Sequence, residues 1–416
     1  MALPDKKRKR GRVIVGLDVG TTKICAIAGE VSEEGITVLA MGSHPSTGLR
    51  KGVVIDIEAT ANSIKKAVSG VREQLGIPVN EVYVGIAGSH IKSIGSYGAV
   101  GIKGKDVTPE DVDRAIDSAG AVYVPLDREI LHVLPTDFIL DGQGGIKDPV
   151  GMAGVRLEVQ VHIVTGAVAS VQNLIKCCER ADLKVLDIVL QPLASSEATL
   201  TADERDMGVA LVDIGGGTTD IAVYKDGWLR HTSVLGIGGN HFTNDVSVGL
   251  RLPFNEAERV KKKYGTVLQS DLNDGTDMDV VGIDGQVRGI PRKYLGEIIR
   301  PRCDELLELI RQEINVSPGY DVGVSEVVLT GGASLLSGLD RMAEAVFSLP
   351  VRIGYLHRVE GIRGELNHPM YATAIGLLLY EAASMMPDER NGFSSDLFAK
   401  IVDKMTGWFR RIVGNG

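Results

Sequence analysis

Residues 211–220 read LVDIGGGTTD, and residues 17–23 read LDVGTTK. In both stretches a β-rich apolar run leads into an aspartate, which is followed by glycine, a pair of threonines and a second apolar run. A strand, a tight Gly/Thr turn and a second strand predict a β-hairpin. The two copies begin near residues 13 and 209, and a repeat so widely spaced predicts two homologous lobes.

Both predicted hairpins contain the residue types that hold phosphate groups. A tight Gly/Thr turn directs backbone N–H groups toward phosphate oxygens, and glycine permits the close approach because it lacks a Cβ. The residues expected in this cradle are Gly20, Thr21, Thr22, Lys23, Gly215, Gly216, Gly217, Thr218 and Thr219. One glycine-rich hairpin alone is usually a plain turn, but two matched hairpins favour phosphate binding. A P-loop is excluded, because the sequence contains no GxxxxGK motif followed by Ser or Thr.

An aspartate ends the first strand of each hairpin. Asp18 and Asp213 would repel a phosphate in direct contact. Each can instead hold the water shell of Mg²⁺, which prefers carboxylate-held waters and phosphate oxygens. Lys23 adds a compact positive charge for the phosphate chain. The pattern therefore predicts a magnesium-bound polyphosphate between the two hairpins.

Two further segments could hold a nucleoside. Residues 330–333, TGGA, follow a predicted buried strand and precede a helix, and paired glycines let a flat base or ribose lie against the backbone. A plain strand-to-helix turn would look the same. Glu258, Lys261 and Lys262 share one face of a predicted helix, where they could flank a ribose and purine or form an ordinary solvated surface.

Length and charge limit the class of protein. A chain of 416 residues predicts two or more compact units. The formal net charge of −9 argues against a general nucleic-acid binder, which needs a basic face. A basic cluster at residues 6–10 is interpreted as a solvated tail, with a nucleic-acid or lipid contact as the alternative. The four cysteines show no CxxC spacing and are expected to be reduced thiols.

The C-terminal segment has the pattern of a helix that lies in a membrane surface. At about 100° per residue, its large apolar side chains share an arc of about 160°, opposite a polar face with four basic residues. The expected membrane-binding residues are Leu397, Phe398, Ile401, Met405, Trp408, Phe409 and Ile412, with Lys400, Lys404, Arg410 and Arg411 on the polar face. A terminal helix docked on the chain's own core is the alternative. Residues 387–395 are polar, contain Pro and Gly, and are interpreted as a linker. The sequence has no run of about 18 apolar residues that could span a membrane.

Together these motifs resemble the actin superfamily, which includes heat-shock chaperones and sugar kinases. Residues 18–23 resemble its first phosphate motif, residues 211–220 its second in the chaperone-like form, and residues 329–334 its adenosine motif. Gln191-Pro192 and residues 372–377 resemble the two connecting segments between the lobes. The match is closest to the FtsA family of bacterial cell-division actins and extends from about residue 13 to residue 416.

The resemblance implies an α/β fold, two-lobed and actin-like (a duplicated ribonuclease H-like core), with an inserted small α+β subdomain. The expected parts are a disordered basic tail (1–12), the first lobe core 1A (13–86 and 161–204), the inserted 1C-type subdomain (87–160), the second lobe core 2A (205–239 and 325–383), subdomain 2B (240–324), a linker (384–395) and the amphipathic helix (396–416).

The resemblance also implies roles for individual residues, with ATP and Mg²⁺ as ligands. Asp18 and Asp213 would hold the Mg²⁺ waters, the two hairpins the phosphates, and Gln191 a hydrolytic water. The implied nucleoside residues are Glu258, Lys261 and Lys262 as the clamp, with Gly331, Gly332 and Ala333 under the base. Conventional actin has a histidine in its second phosphate loop, where this chain has Asp220. Because of this departure, we expect ATP hydrolysis to be slow at most.

The function implied by the resemblance is that of a cell-division adaptor. It would polymerise with ATP, dock through its tail on anionic lipids at the cytoplasmic face of the bacterial membrane, and anchor the tubulin-like FtsZ at the septum together with other division proteins. No nucleic-acid partner is expected. One alternative is a pilus-assembly actin-like adaptor, but the amphipathic tail favours cell division. The other is a chaperone or sugar-kinase ATPase. A chaperone needs a peptide-binding domain after residue 383, and a kinase needs a carboxylate base beside a sugar pocket.

Overall fold

Two mixed β-sheets, each built around one of the predicted hairpins, form the two lobes. The computed structural model describes residues 11–32, 35–268, 270, 275–315, 323–357, 359–360 and 366–385. The predicted basic cluster, residues 386–395 of the predicted linker and the amphipathic tail helix lie outside these residues, whereas residues 384–385 continue the last described helix. The first sheet has the order β11-β6-β1-β2-β3-β19, and the second has the order β14-β13-β12-β17-β18.

The strands of the first sheet are β1 (Arg12–Val19), β2 (Lys23–Ser32), β3 (Gly35–Pro45), β6 (Glu81–Ile86), β11 (Lys184–Leu190) and β19 (Val359–Glu360). Those of the second are β12 (Val209–Ile214), β13 (Thr219–Lys225), β14 (Trp228–Leu235), β17 (Glu326–Thr330) and β18 (Val351–Ile353). A short hairpin of β4 (Leu49–Arg50) and β5 (Val53–Val54) follows β3. The three-strand antiparallel run β1-β2-β3 matches β12-β13-β14, and the parallel strands β6 and β11 match β17 and β18. The predicted duplication is thus present in the topology.

The helices cover the two sheets and fill the layer between them. They are α1 (Ile57–Leu75), α2 (Pro109–Gly120), α3 (Val168–Arg180), α4 (Gln191–Thr199), α5 (Ala202–Met207), α6 (Gly239–Leu250), α7 (Phe254–Tyr264), α8 (Arg292–Asn315), α9 (Leu339–Phe347) and α10 (Ala372–Met385). Helices α1 and α3 pack on the outer face of the first sheet, and α6 to α9 on the second. Helices α4 and α10 lie between the sheets, where Gly376 is so close to Ala194 that an added Cβ would overlap the Ala194 backbone.

The inserted unit is a four-stranded sheet backed by α2. Its strands are β7 (Lys92–Gly101), β8 (Arg128–Leu140), β9 (Gln143–Ile146) and β10 (Arg156–Ala167), in the order β7-β10-β8-β9. Helix α2 begins after Thr108, which forms a capping box with Asp111. Strand β10 stays paired with β8 as far as Ala167. It therefore crosses the boundary predicted at residue 160, because the outgoing strand continues straight into α3.

The inserted sheet also packs against β14 of the second lobe. Trp228 meets Phe138 edge to face, with ring centroids 6.0 Å apart. The buried His162 Nε2 lies 2.8 Å from Thr232 Oγ1, and Arg230 donates to the carbonyl of Thr136 over 2.8 Å. The insertion, which is joined by the chain to the first lobe, is thus packed on the second.

Residues 240–324, the expected subdomain 2B, contain a β-hairpin in addition to α6, α7 and α8. A hairpin of β15 (Asp277–Val281) and β16 (Val287–Pro291) follows α7. Met278 and Val280 are its only fully buried apolar side chains among the described residues, so its apolar signal is weak. The four cysteines are buried free thiols, as expected. None of the described helices has the length and apolar character needed to cross a bilayer.

Candidate functional site

The turns of the two predicted hairpins face each other across the cleft between the lobes. Each turn closes with the same backbone bond, from Gly20 N–H to the Lys23 carbonyl and from Gly215 N–H to the Thr218 carbonyl, both 3.0 Å. A Cβ on Gly216 would overlap the side chain of Thr22. The first and second hairpins are therefore in contact, and this approach requires glycine.

A Cβ on Gly217 would likewise lie 2.6 Å from Thr21 Oγ1. Thr22 Oγ1 in turn donates to Asn240 Oδ1 at the start of α6, over 3.4 Å. Thr219 Oγ1 is turned away, since it donates to the carbonyl of Ile237 over 2.8 Å. The structure thus brings together most of the predicted cradle, while Thr219 supports the loop that precedes α6.

Three carboxylates lie behind these turns. Asp18, Asp213 and Asp220 are all more than 90% buried, and Asp213 is paired with Asp220 in the β12–β13 register. Asp213 Oδ2 accepts bonds from Ser195 Oγ at 2.7 Å and Thr373 Oγ1 at 3.2 Å. Asp220 Oδ2 accepts one from Thr218 at 3.2 Å, and its Oδ1 has no hydrogen-bond partner in the described part of the chain.

Burial makes the charge of this cluster costly. It raises the pKa of Asp18 to about 6, against the opposing effect of Lys23, and neighbouring Asp213 adds to the rise. Burial also raises the pKa of Asp213, although Ser195 and Thr373 oppose the shift. Asp220 has its pKa raised well above the usual value by burial and by Asp213. Within the residues that the structure describes, the three buried carboxyl groups have only one ammonium group, that of Lys23, nearby to balance their negative charge. A hydrated Mg²⁺ ion would supply the missing positive charge.

Lys23 lies on the side of this cluster toward α10. Its Nζ donates to the carbonyl of Met370 over 2.7 Å and lies 4.0 Å from the centre of the Tyr371 ring. Both partners belong to the segment that joins the second lobe to α10. The predicted phosphate-binding ammonium is therefore also a contact between the first lobe and this segment.

Gln191, the predicted water-orienting residue, is the first residue of α4. Its Nε2 donates to Asp18 Oδ1 over 3.2 Å, and its Cγ packs 3.1 Å from the Cβ position of Gly85. The peptide N–H of the preceding Leu190 donates over 3.0 Å to Nε2 of His132 in β8. The Gln191 amide is thus held at the carboxylate cluster by Asp18, and His132 supports the backbone just before it.

The predicted nucleoside residues lie at the α6–α7 end of the cleft. Lys261 Nζ bonds the Gly239 carbonyl at 3.0 Å and pairs with Glu258 at 2.7 Å. Lys262 pairs with Glu258 at 3.1 Å, but its side chain is 68% exposed. Burial lowers the pKa of Lys261, an effect that Glu258 opposes. Lys261 therefore supports the loop, and Lys262 projects from it.

The predicted base-binding turn follows β17 directly. Gly331 has φ +84°, and a Cβ there would overlap Asp213 Oδ1. Gly332 is more open, since its Cβ position is 3.7 Å from Met370 Cβ. The Cβ of Ala333 lies 3.0 Å from the Cβ position of Gly239. This turn thus joins the aspartate cluster to the Lys261 loop.

Sequence reasoning missed several residues that complete the site. Ser195 and Thr373 bond Asp213, Asn240 bonds Thr22, and Met370 and Tyr371 contact Lys23. A weak signal for Ser195 existed, because it lies one helical turn after Gln191 and shares its face. The predicted membrane-binding residues, 397–412, lie outside the described residues.

Comparisons with known proteins agree with this architecture. A family model for cell division protein FtsA matches residues 210–376, and a model for the SHS2 domain inserted in FtsA matches residues 88–165. Cell division protein FtsA of Pseudomonas aeruginosa is 41% identical over 406 residues, which cover 96% of this chain and 97% of that protein.

Two solved structures share the fold at low sequence identity. The PilM–PilN type IV pilus biogenesis complex has a TM-score of 0.63 at 19% identity, over 89% of this chain and 98% of that one. MreB5 of Spiroplasma citri bound to ADP has a TM-score of 0.54 at 16% identity, over 89% and 96%. These likenesses show an actin-like fold, whereas the identity to the Pseudomonas protein over nearly the whole length shows the family. This chain belongs to the FtsA family of cell division proteins.

Proposed function

We propose that the chain binds Mg²⁺ and ATP in the cleft between its two hairpins. The observation that carries this proposal is the cluster of buried Asp18, Asp213 and Asp220 directly behind two glycine turns. Asp18 and Asp213 would hold the magnesium waters, and the backbone N–H groups of both turns would hold the phosphates. The Mg²⁺ ion would supply the positive charge that the carboxylates and the phosphates both need.

The nucleoside would lie at the other end of the cleft, between the Gly332–Ala333 backbone and the α6–α7 pair. Lys262 is the exposed member of the predicted clamp, and Glu258 is held by two lysines. An actin-like structure with ADP bound, that of Spiroplasma citri MreB5, supports a nucleotide in this fold.

We further propose that hydrolysis is slow and that the protein acts as an adaptor. Gln191 is bonded to Asp18, and the side chain at position 220 is a buried acid with a raised pKa rather than a histidine. The site would therefore bind and orient the phosphates more effectively than it would activate water. A turnover near 10 per second, typical of enzymes, would favour an ATPase instead.

The cellular role that these features support is assembly on the cytoplasmic membrane and anchoring of the FtsZ ring at the division site. Actin-like chains assemble head to tail, a contact that does not close on itself and so gives filaments. The amphipathic pattern of residues 396–416 supports peripheral attachment. The structural likeness to the pilus-complex protein keeps a pilus adaptor as the second candidate, and family membership favours division.

Co-sedimentation with anionic vesicles tests the proposal. We expect the full chain to pellet with vesicles, more completely with Mg·ATP than without nucleotide, and to bring purified FtsZ into the pellet. FtsZ alone with the same vesicles is the control. Recovery of FtsZ in the supernatant, with the chain itself in the pellet, would contradict the anchoring role while leaving lipid binding intact.

A further inference from the structure

A two-residue turn touches the first phosphate hairpin from outside. Lys51 and Gly52 connect β4 to β5, and both have positive φ angles, +50° and +75°. The Gly52 N–H donates to Thr21 Oγ1 over 3.1 Å. On its other side a Cβ at Gly52 would lie 2.8 Å from the Ala87 carbonyl oxygen. The turn is thus fixed between the hairpin and the end of β6.

The Lys51 side chain extends from this turn to the second lobe. Its Cδ and Nζ both lie 3.7 Å from the Cβ position of Gly236, in the loop before α6. The residue is exposed, and within the described ranges its ammonium makes no hydrogen bond or ion pair with a protein group. A positive φ angle is uncommon for residues other than glycine, asparagine and aspartate. At Lys51 this conformation is therefore set by the turn and not by the lysine side chain.

Three glycines in the loop before α6 and at its first residue contact different parts of the cleft in chain order. Gly239 faces the nucleoside end, since its Cβ position is 3.0 Å from Ala333 Cβ and 3.6 Å from Lys261 Nζ. Gly238 faces the second phosphate turn, 2.7 Å from the Gly215 carbonyl oxygen. Gly236 faces Lys51. Lys51 is therefore at the end of the cleft opposite the nucleoside residues, where the last phosphate of a bound nucleotide would lie.

We propose that Lys51 binds the terminal phosphate of a nucleoside triphosphate and so distinguishes a triphosphate from a diphosphate. This inference rests on the proposed ATP site and adds a specificity-determining residue to it. The lysine is carried by the first lobe, and its ammonium lies over the second. On this assignment the terminal phosphate of a triphosphate would contact both lobes, and a diphosphate would lack the group that Lys51 binds. Thr21 links the same turn to the first hairpin, so the Lys51 backbone is held beside the phosphate turn.

Nucleotide affinities of the full chain test this assignment. We would measure binding of a non-hydrolysable ATP analogue and of ADP, each with Mg²⁺, to the wild type, Lys51→Asn, Lys51→Arg and the control Lys66→Asn. Asparagine tolerates the positive φ angle, and Lys66 is an exposed lysine on α1. Loss of a charge-assisted contact predicts about tenfold weaker binding of the triphosphate by Lys51→Asn, with ADP affinity within about twofold of wild type.

The other variants and outcomes separate the possible causes. Lys51→Arg should restore part of the triphosphate preference, because it keeps the charge but changes the geometry, and Lys66→Asn should keep all of it. An equal loss for both nucleotides in Lys51→Asn, or an unchanged preference, overturns the assignment while the ATP site stands. If the wild type binds neither nucleotide, the proposed function and this inference fail together.

Discussion

Burial of the Asp18 carboxyl lowers the stability of the folded protein at neutral pH. Because burial raises its pKa from 3.8 to about 6, the folded protein holds a proton there more tightly than the unfolded chain does. Stability from this group is therefore fully present below about pH 4 and is lost as the pH rises through about 6, above which the carboxyl is ionised in both states. The cost of ionisation in the folded state is roughly 2–3 kcal/mol at neutral pH.

Asp18→Asn removes this cost and should also remove the magnesium-water ligand. At pH 7.5 without nucleotide we expect a gain of roughly 1–3 kcal/mol in the free energy of unfolding, measured by urea titration. Affinity for Mg·ATP should fall in the same variant. Asp106→Asn, at an exposed acid, should change neither quantity. A variant that is less stable than wild type at pH 7.5 would show that the carboxylate contributes a needed contact instead.

Gly216 is the position where the two hairpins approach most closely. Valine there would overlap Thr22 and force the two turns apart, so we expect Gly216→Val to lose most Mg·ATP binding in a titration. Gly101→Val is the matched control, because nothing lies within 4 Å of a Cβ at that exposed strand position. Unchanged ATP affinity in a folded Gly216→Val protein would place the nucleotide elsewhere.

Site residues could be predicted from the sequence where they are neighbours in the chain, but not where folding alone brings them together. The hairpin residues are consecutive, so their Asp, Gly and Thr pattern is readable without a structure. Ser195 and Thr373 are far apart in the chain, and they meet Asp213 only because α4 and α10 pack together between the sheets. Lys51 likewise reaches Gly236 only after β4 and β5 have folded against the first hairpin.

The same distinction holds for helices and strands. Helix α1 was predictable at both ends, because Asp56 caps its first turn and Gly76 ends it with a left-handed conformation. The β15–β16 hairpin was not predicted, since its short strands show only a brief apolar alternation within acidic sequence. Strand β10 runs past the predicted boundary at residue 160, because Glu158, Gln160 and His162 alternate with apolar residues and no glycine or proline interrupts the strand before Gly166.

The packing of the inserted sheet on β14 can be tested at Trp228. This side chain is 4% exposed and shares a core with Phe138 and other residues of the insertion. Trp228→Ala should lower the free energy of unfolding by roughly 3–5 kcal/mol, because it leaves a cavity between the insertion and the second lobe. Urea unfolding followed by circular dichroism measures the loss.

Tyr123→Ala is the control for this experiment. Tyr123 belongs to the same insertion, but it is 86% exposed, so its loss should change stability by no more than about 0.5 kcal/mol. Similar small effects of both substitutions would mean that the insertion is not held on β14 in solution. A separate early transition in Trp228→Ala would instead show that the insertion can detach from an otherwise folded core.

At the scale of the whole molecule, two helices connect the chemistry of the cleft to the relative position of the lobes. Helix α4 begins with Gln191, which bonds Asp18 of the first lobe, and α10 carries Thr373, which bonds Asp213 of the second. The two helices cross at Gly376 in backbone contact with Ala194. The duplication was predictable from the repeat, but this crossing depends on packing that no local pattern encodes.

Membrane attachment, in contrast, is predicted from sequence alone and depends on how many chains assemble. One acyl chain gives only marginal binding, with an association constant of about 10⁴ M⁻¹, and one amphipathic tail buries only part of each apolar side chain. Its four basic residues could add roughly 1 kcal/mol each near an anionic surface, less the effect of Asp396 and Asp403. A single chain should therefore exchange rapidly between membrane and solution.

A polymer carrying many tails should stay bound, because every contact after the first is intramolecular. Trp408→Glu places a charge at the centre of the apolar arc and should release the chain from anionic liposomes while ATP binding survives. Thr406→Glu adds the same charge on the polar face and should weaken flotation far less. Deletion of residues 396–416 should match Trp408→Glu. Retention of the deleted chain on protein-free liposomes, or equal release by both glutamate variants, would mean that attachment does not depend on the apolar face of this helix.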